Sequence, residues 1–186
     1  MKNRHSSETI DTKQKILQAA AQVIHTTGVL ALTLEAVAKE AQISKGGLLY
    51  HFPSKDALLQ GMNDYLLHGF IAEVENYASQ DPSEKGKWTR AYAEATFSQP
   101  DSELAMNVAF LAAAATNTEL LKTMAEHLQV LQNRIENDQI DPIVSTVIRL
   151  AVDGLYFNQL YGMNLRKDAH EKVLNYLISL TKEKSQ

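Results

Sequence analysis

The sequence predicts an all-α protein, and three observations predict it. The four prolines (Pro53, Pro82, Pro100 and Pro142) all fall between segments whose apolar residues recur every three or four positions. There a proline starts or stops a helix instead of breaking one. No stretch alternates apolar and polar residues cleanly enough for a half-buried strand. At 186 residues, 45% of them hydrophobic, the chain is long enough to bury a core without covalent staples.

The helices can be read in order. The first is predicted over 12–26, with Asp11 and Gln14 at capping-box spacing, an apolar stripe of Ile16, Ala20, Val23 and Ile24, and Gly28 as its stop. Thr33 caps a short second helix to Ala41, with Val37 and Ala38 inward. Gln42-Ile43 is a tight connection, and Ser44 caps a short third helix to His51. Pro53-Ser54 breaks that helix. Ser54 then caps a long fourth one to Ala78, along which Leu58, Met62, Tyr65, Leu66, Phe70 and Val74 repeat. Further helices are predicted over 84–98, 102–115 and 118–138. Asp141-Pro142, a cap followed by proline at the first helical position, opens another to Tyr161, and the last covers 167–182. That makes about nine helices, divided into a three-helix head (1–52) and a larger helical body (53–186).

Composition narrows the function. The absence of cysteine excludes a disulfide scaffold, thiol catalysis and cysteine-ligated metal sites. The longest uncharged apolar run, Val108 to Ala115, is far short of a membrane span. Residues 1–13 are polar and of mixed charge, unlike a signal peptide, so a cytoplasmic protein is expected. Residues 1–60 hold seven Lys/Arg against five Asp/Glu, and the rest of the chain eleven against seventeen. A mildly basic front on an acidic body suits nucleic-acid binding by the front. No enzyme is expected: His-Glu-x-x-His, phosphate-binding-loop and Gly-x-Ser-x-Gly patterns are all missing, and the six histidines share no i, i+4 face. No cofactor or metal is implied.

Two short helices joined by a tight turn and braced by a longer first helix describe a helix-turn-helix. Ala36, Ala38 and Ala41 keep the second helix slim, and Ile43 fixes the turn. Ser44, Lys45, Gly46 and Gly47 give the third helix a small polar tip that can enter a major groove. The stretch from Thr33 to Leu59, above all Tyr50-His51-Phe52-x-x-Lys55-x-x-Leu58, resembles the signature of the TetR family of transcriptional regulators. With the first helix the resemblance covers residues 12–62.

The resemblance implies a homodimer whose two recognition helices enter successive major grooves of a palindromic operator. By position, Thr33 would donate to a phosphate, and Ser44, Lys45, Gly46 and Gly47 would approach bases and backbone. Tyr50 and His51 would bond phosphates, and Lys55 would hold one with help from the positive end of the fourth helix. Leu49 departs from the family pattern, which often has an aromatic residue there. Phe52, Leu48 and Ile43 read as core.

The body carries Met62, Leu66, Trp88, Tyr92, Met106, Phe110, Met124, Tyr156 and Phe157 on apolar helix faces, with Asn107 and Asp153 beside them. They are ordinary core or the lining of a plastic pocket for a small hydrophobic inducer. A carboxylate on an apolar face is costly unless paired, so Asp153 either awaits a cationic ligand or bonds a nearby tyrosine or Arg149. Tyr50-His51-Phe52-Pro53-Ser54-x-x-Ala57-Leu58-Leu59-x-Gly61-Met62 and Leu150-Ala151-Val152-Asp153-Gly154-Leu155 resemble the multidrug-sensing efflux repressors within the family. The last two helices carry Val144, Val147, Ile148, Ala151, Val173, Tyr176, Leu177 and Leu180, and the resemblance implies that they pair with a second copy. Gly61 and Gly69 in the fourth helix ease bending or mark packing crevices. The alternative reading keeps DNA binding but gives the body only dimerisation or a protein partner.

Overall fold

The computed structural model describes residues 2–115, 117–163 and 166–182; the side chains of 2–10, 101–102 and 167–168 are not described. Nine α-helices and one 3₁₀ turn make up the described residues: α1 (Lys2–Thr27), the turn (Val29–Ala31), α2 (Leu34–Glu40), α3 (Lys45–His51), α4 (Lys55–Gln80), α5 (Lys87–Phe97), α6 (Asp101–Ala114), α7 (Thr118–Glu136), α8 (Pro142–Leu160) and α9 (Lys167–Leu180). No strand occurs among them.

The start of α1 corrects the sequence reading. The helix does not begin behind an Asp11 cap but runs from Lys2, leaving Asp11 exposed within it. No proline or glycine stands among residues 2–11 to stop it, and a capping box needs its first residue outside the helix. The stop is as expected: Gly28 takes a positive φ (85°, with ψ 160°) that favours glycine, and its N–H returns to the Ile24 carbonyl at 2.9 Å. Gly86 (φ 78°) likewise delays α5 to Lys87.

Packing divides the chain into two compact units. The first comprises the chain up to Leu66 together with Asp101–Thr123, and the second Leu67–Pro100 together with the chain from Met124 on. In the first unit α1 packs on α2 and α6, and α2 on α3. Ile16, Ala20, Val37, Leu48, Leu58, Met62 and Phe110 form its buried interior. Gln14 Nε2 donates to the Tyr65 hydroxyl at 2.9 Å, tying α1 to α4.

In the second unit α5 packs on α8 and α9 around Val74, Tyr92, Leu131, Ile135, Ile148, Val152 and Leu177. Some of its buried polar groups are paired over long sequence distances. Arg90 donates to both Asp81 oxygens (2.7 and 2.9 Å), to the Ser83 and Lys85 carbonyls and to Thr181 Oγ1. Asp138 accepts from the Trp88 and Thr89 amides (3.1 and 2.7 Å) and from the Thr89 hydroxyl, closing the N-terminus of α5.

Candidate nucleic-acid interface

Three hydroxyl caps build the candidate surface. Thr33 Oγ1 accepts from the Ala36 amide at 3.1 Å and starts α2, and Ser44 Oγ accepts from the Gly47 amide at 3.0 Å and starts α3. Ser54 Oγ accepts from the Ala57 amide at 3.0 Å and starts α4. Each oxygen that accepts keeps its own O–H to donate elsewhere. Thr33 and Ser44 are both exposed. Between α2 and α3 the chain turns through Gln42 in the left-handed region (φ 54°), and the Ile43 amide returns to the Ala38 carbonyl at 3.0 Å. Ile43 is half-buried at this corner.

The faces of α3 then sort as the sequence predicts. Leu48 is fully buried and Phe52 nearly so, while Ser44, Lys45, Gly46 and Tyr50 face water. Tyr50 is 82% exposed, with its ring edge-on to His51 at 5.1 Å, and His51 is half-buried. A Cβ at Gly46 would meet nothing, whereas one at Gly47 would crowd Ser44 Oγ at 3.2 Å. Gly47 therefore serves the cap, and Gly46 leaves the helix tip open. Lys55 is exposed in the first turn of α4, where orphan amides make the helix end positive. Leu49 is also exposed.

One partner on this surface had no motif to announce it. Lys45 Nζ donates to Glu35 Oε1, joining the first turn of α3 to the first turn of α2. That hydrogen bond holds the Glu35 carboxyl below the ordinary carboxylate range. Opposite charges opening two consecutive short helices were the one sequence cue.

The residues expected to meet an inducer are distributed over both units. Met62, Met106 and Phe110 are buried in the first, where Leu66 and Asn107 are half-buried and Asn107 Nδ2 donates to the Glu103 carbonyl. Beside Met62 lies a residue the sequence reading missed. Asn63 is 1% exposed, and neither its Nδ2 nor its Oδ1 has a hydrogen-bond partner among the described residues. An apolar-faced helix gives no sequence sign of this.

In the second unit Tyr92 and Asp153 are brought together, with the phenol donating to Oδ1 at 2.5 Å. Burial, and then the Asp153 charge, push the phenol above its ordinary pKa. Asp153 Oδ2 also faces Arg149 at 3.2 Å, and Arg149 donates to Gln132 Oε1 at 2.6 Å. Asp153 thus has internal partners in Tyr92 and Arg149. Trp88 is half-buried with the Arg134 guanidinium 4.5 Å above its ring. Met124 and Tyr156 are half-buried, while Phe157 is exposed and stacks on Tyr161. Among the described residues no three His, Asp or Glu stand together as a metal site, and no helix is long and apolar enough to cross a membrane.

Comparison with known proteins gives these features a context. Residues 16–62 match the model of bacterial regulatory proteins of the tetR family, and residues 86–182 match the tetracyclin repressor-like C-terminal domain. The A-factor receptor protein of Streptomyces griseus is 26% identical over 147 residues, which is 78% of this chain and 53% of that protein. Nucleoid occlusion factor SlmA of Vibrio cholerae is 22% identical over 76% of this chain and 65% of its own. The chain thus spans between half and two thirds of these two relatives. Among solved structures, a TetR family transcription regulator from Marinobacter aquaeolei superposes with a TM-score of 0.68 at 15% identity, covering 95% of this chain and 97% of the other. Multidrug binding protein EbrR complexed with malachite green gives 0.65 at 24% identity, covering 90% and 96%. These likenesses share the fold. With a tetR-type model over residues 16–62 and a repressor-type model over more than half its length, the chain belongs to the TetR family, whose members are DNA-binding transcription regulators and not enzymes.

Proposed function

We propose that the protein is a ligand-responsive repressor that binds a palindromic operator as a homodimer in the cytoplasm. The observation that carries the DNA-reading part is the sorting of α3. Leu48 anchors it inside while Ser44, Lys45, Gly46 and Tyr50 face out, as a helix entering a major groove requires. In this reading Thr33, Tyr50, His51 and Lys55 position the head on phosphates, and Ser44, Lys45, Gly46 and Gly47 approach the bases. The division of labour follows the sequence: residues 1–52 read DNA, and residues 53–186 dimerise and bind the inducer.

Dimerisation through the last two helices is supported by α8. Ile143, Val147, Leu150 and Phe157 are exposed on it, and Tyr161 at its C-terminal cap, at spacings that share one face, with Tyr176 exposed on α9. A contiguous exposed apolar stripe marks an interface. Control by a small hydrophobic inducer, cationic in one version, is supported by the unpartnered Asn63 amide and by a structural neighbour, the multidrug binding protein EbrR, complexed with malachite green. Such an inducer acts by changing the spacing of the two heads through α4, drawing on its differential affinity for the two spacings, typically ~1–3 kcal/mol.

A second reading, DNA binding with a body that only dimerises or binds a protein, has its own support. Met62, Met106 and Phe110 are fully packed, and Asp153 is already paired.

The test is fluorescence anisotropy against DNA from the protein's own upstream region and against duplexes selected from a random pool. Tight, salt-sensitive binding lost in a Tyr50→Ala/Lys55→Ala double variant upholds the regulator reading. Failure of both DNA sources overturns it. Release of the complex by lipophilic cations or acyl compounds separates the two readings of the body.

A further inference from the structure

Lys45 is the single lysine or arginine between Lys39 and Lys55. On α3 it is followed by two glycines and two leucines, so no other long cationic side chain reaches out from the helix tip. That lysine is not free. Its ammonium is held by Glu35, ten residues upstream on α2, and both side chains are more than half exposed. A carboxylate on a surface that faces phosphates weakens every encounter with DNA. An exposed ion pair by itself adds little to stability. The place of Glu35 in the first turn of α2 suits that helix's positive end, which any acid there would do; it does not explain why the carboxylate engages Lys45.

Geometry offers an account. A lysine ammonium has three N–H donors on a flexible stem. One is engaged by Glu35, which fixes where the stem points and leaves two for a ligand. A lysine free to swing takes whichever phosphate is nearest and carries no sequence information. A lysine tethered over the helix tip is presented to the base edges that α3 meets, where guanine O6 and N7 are its natural acceptors. The tether also removes the conformational freedom that the lysine would otherwise lose on binding.

Building on the DNA-reading assignment above, we propose that Glu35 is a positioning residue for sequence recognition: it tethers Lys45 toward base edges and denies it to phosphates. The pair stays closed on the operator, so Glu35 lowers binding to random DNA more than binding to the operator.

The experiment measures Kd for a pool-selected operator and for a random duplex over a salt series, with wild type, Glu35→Gln, Glu35→Asp, Lys45→Gln and the Glu35→Gln/Lys45→Gln double variant. For Glu35→Gln, random-DNA binding is expected to tighten about threefold, with a salt slope steeper by about 0.9, the value of one added phosphate contact. Operator binding should change little, so the operator-to-random ratio should fall about threefold. Glu35→Asp, which keeps the charge, should restore part of the ratio. In the Lys45→Gln background the Glu35 change should leave the ratio untouched. Melting temperatures should stay level, which separates positioning from a folding role.

An unchanged or raised ratio in Glu35→Gln overturns the proposal while leaving the DNA reading intact, as does an effect that persists without Lys45. Wild type that selects no operator from the pool overturns the DNA reading and the tether with it.

Discussion

The phenol of Tyr92 on α5 donates a 2.5 Å hydrogen bond to the carboxylate of Asp153 on α8. Tyr92 is buried, and burial followed by the Asp153 charge raises its pKa above the ordinary value near 10. The folded state keeps the proton at a pH where the unfolded chain loses it. The stability this bond contributes is therefore complete below about pH 10 and lost as pH rises beyond it. Tyr92→Phe should cost about 1–3 kcal/mol at neutral pH, because Asp153 loses a donor in a partly buried place. It should also flatten the decline in stability between about pH 9 and 11. Urea denaturation across that range checks both.

Arg90 is nearly buried and engages Asp81 with two hydrogen bonds while holding three more oxygens. Arg90→Met would strand the Asp81 carboxylate and is expected to cost about 3–5 kcal/mol. Arg90→Lys should restore little, since an ammonium cannot reproduce the planar fork. Hydrogen bonding to Arg90 holds the Asp81 carboxyl below its ordinary range. The pair's stability is thus present above the ordinary pKa near 4 and fades as pH falls below it. Acid titration of wild type against Arg90→Met, followed by circular dichroism, should show that decline only in wild type.

Two glycines of α4 should respond in opposite directions. A Cβ at Gly61 would lie 2.4 Å from Cε1 of the buried Phe52 ring, whereas one at Gly69 would meet nothing within 4 Å. Gly61→Ala is expected to lose about 1–3 kcal/mol by overpacking. Gly69→Ala should gain about 0.5–1 kcal/mol from helix propensity. Thermal melts of the two variants decide it. The Gly61 position is a packing crevice for Phe52, one of the two options the sequence left open.

Gly46 gives a test that separates folding from recognition. Its Cβ position is open in the free protein, so Gly46→Ala should melt at or slightly above the wild-type temperature. Operator affinity should nonetheless drop about tenfold, roughly 1.4 kcal/mol, if DNA fills that space. Unaltered affinity would remove Gly46 from the recognition surface.

The exposed stripe on α8 predicts an assembly defect. Leu150→Glu, alone or with Phe157→Glu, places charge among exposed apolar residues without entering the core of the second unit. Light scattering should report a monomer that retains helical circular dichroism. Operator binding should weaken steeply, because each half-site then binds alone.

Much of this was legible locally. The caps at Thr33, Ser44 and Ser54, the Asp141-Pro142 start of α8 and the stop at Gly28 are written within four residues of where they act. Helix boundaries after α1 accordingly fall within a few residues of expectation. Asp11 misled because capping spacing alone cannot tell a helix start from a helix already under way. The inaccessible parts are pairings across long stretches of chain. Nothing near Asp138 announces Trp88 and Thr89, nothing near Arg90 announces Thr181, and Asn63 looks like any polar residue on an amphipathic helix. Around α2 and α3 the exposed and buried positions were readable from the motif, but the Lys45–Glu35 ion pair is a relation between two helices.

The closure of α5 by Asp138 has a consequence for how the protein is made. The amides of Trp88 and Thr89 leave the ribosome some fifty residues before the carboxylate that satisfies them, and Arg90 precedes Thr181 by 91. During synthesis α5 therefore has no finished N-terminus, and its guanidinium, already met by Asp81, Ser83 and Lys85, still lacks Thr181. The second unit cannot mature helix by helix as it emerges, so its ordering is a late event that requires nearly the whole chain. A ribosome stalled in α8 would carry a nascent chain whose α5 is still open to proteases and chaperones.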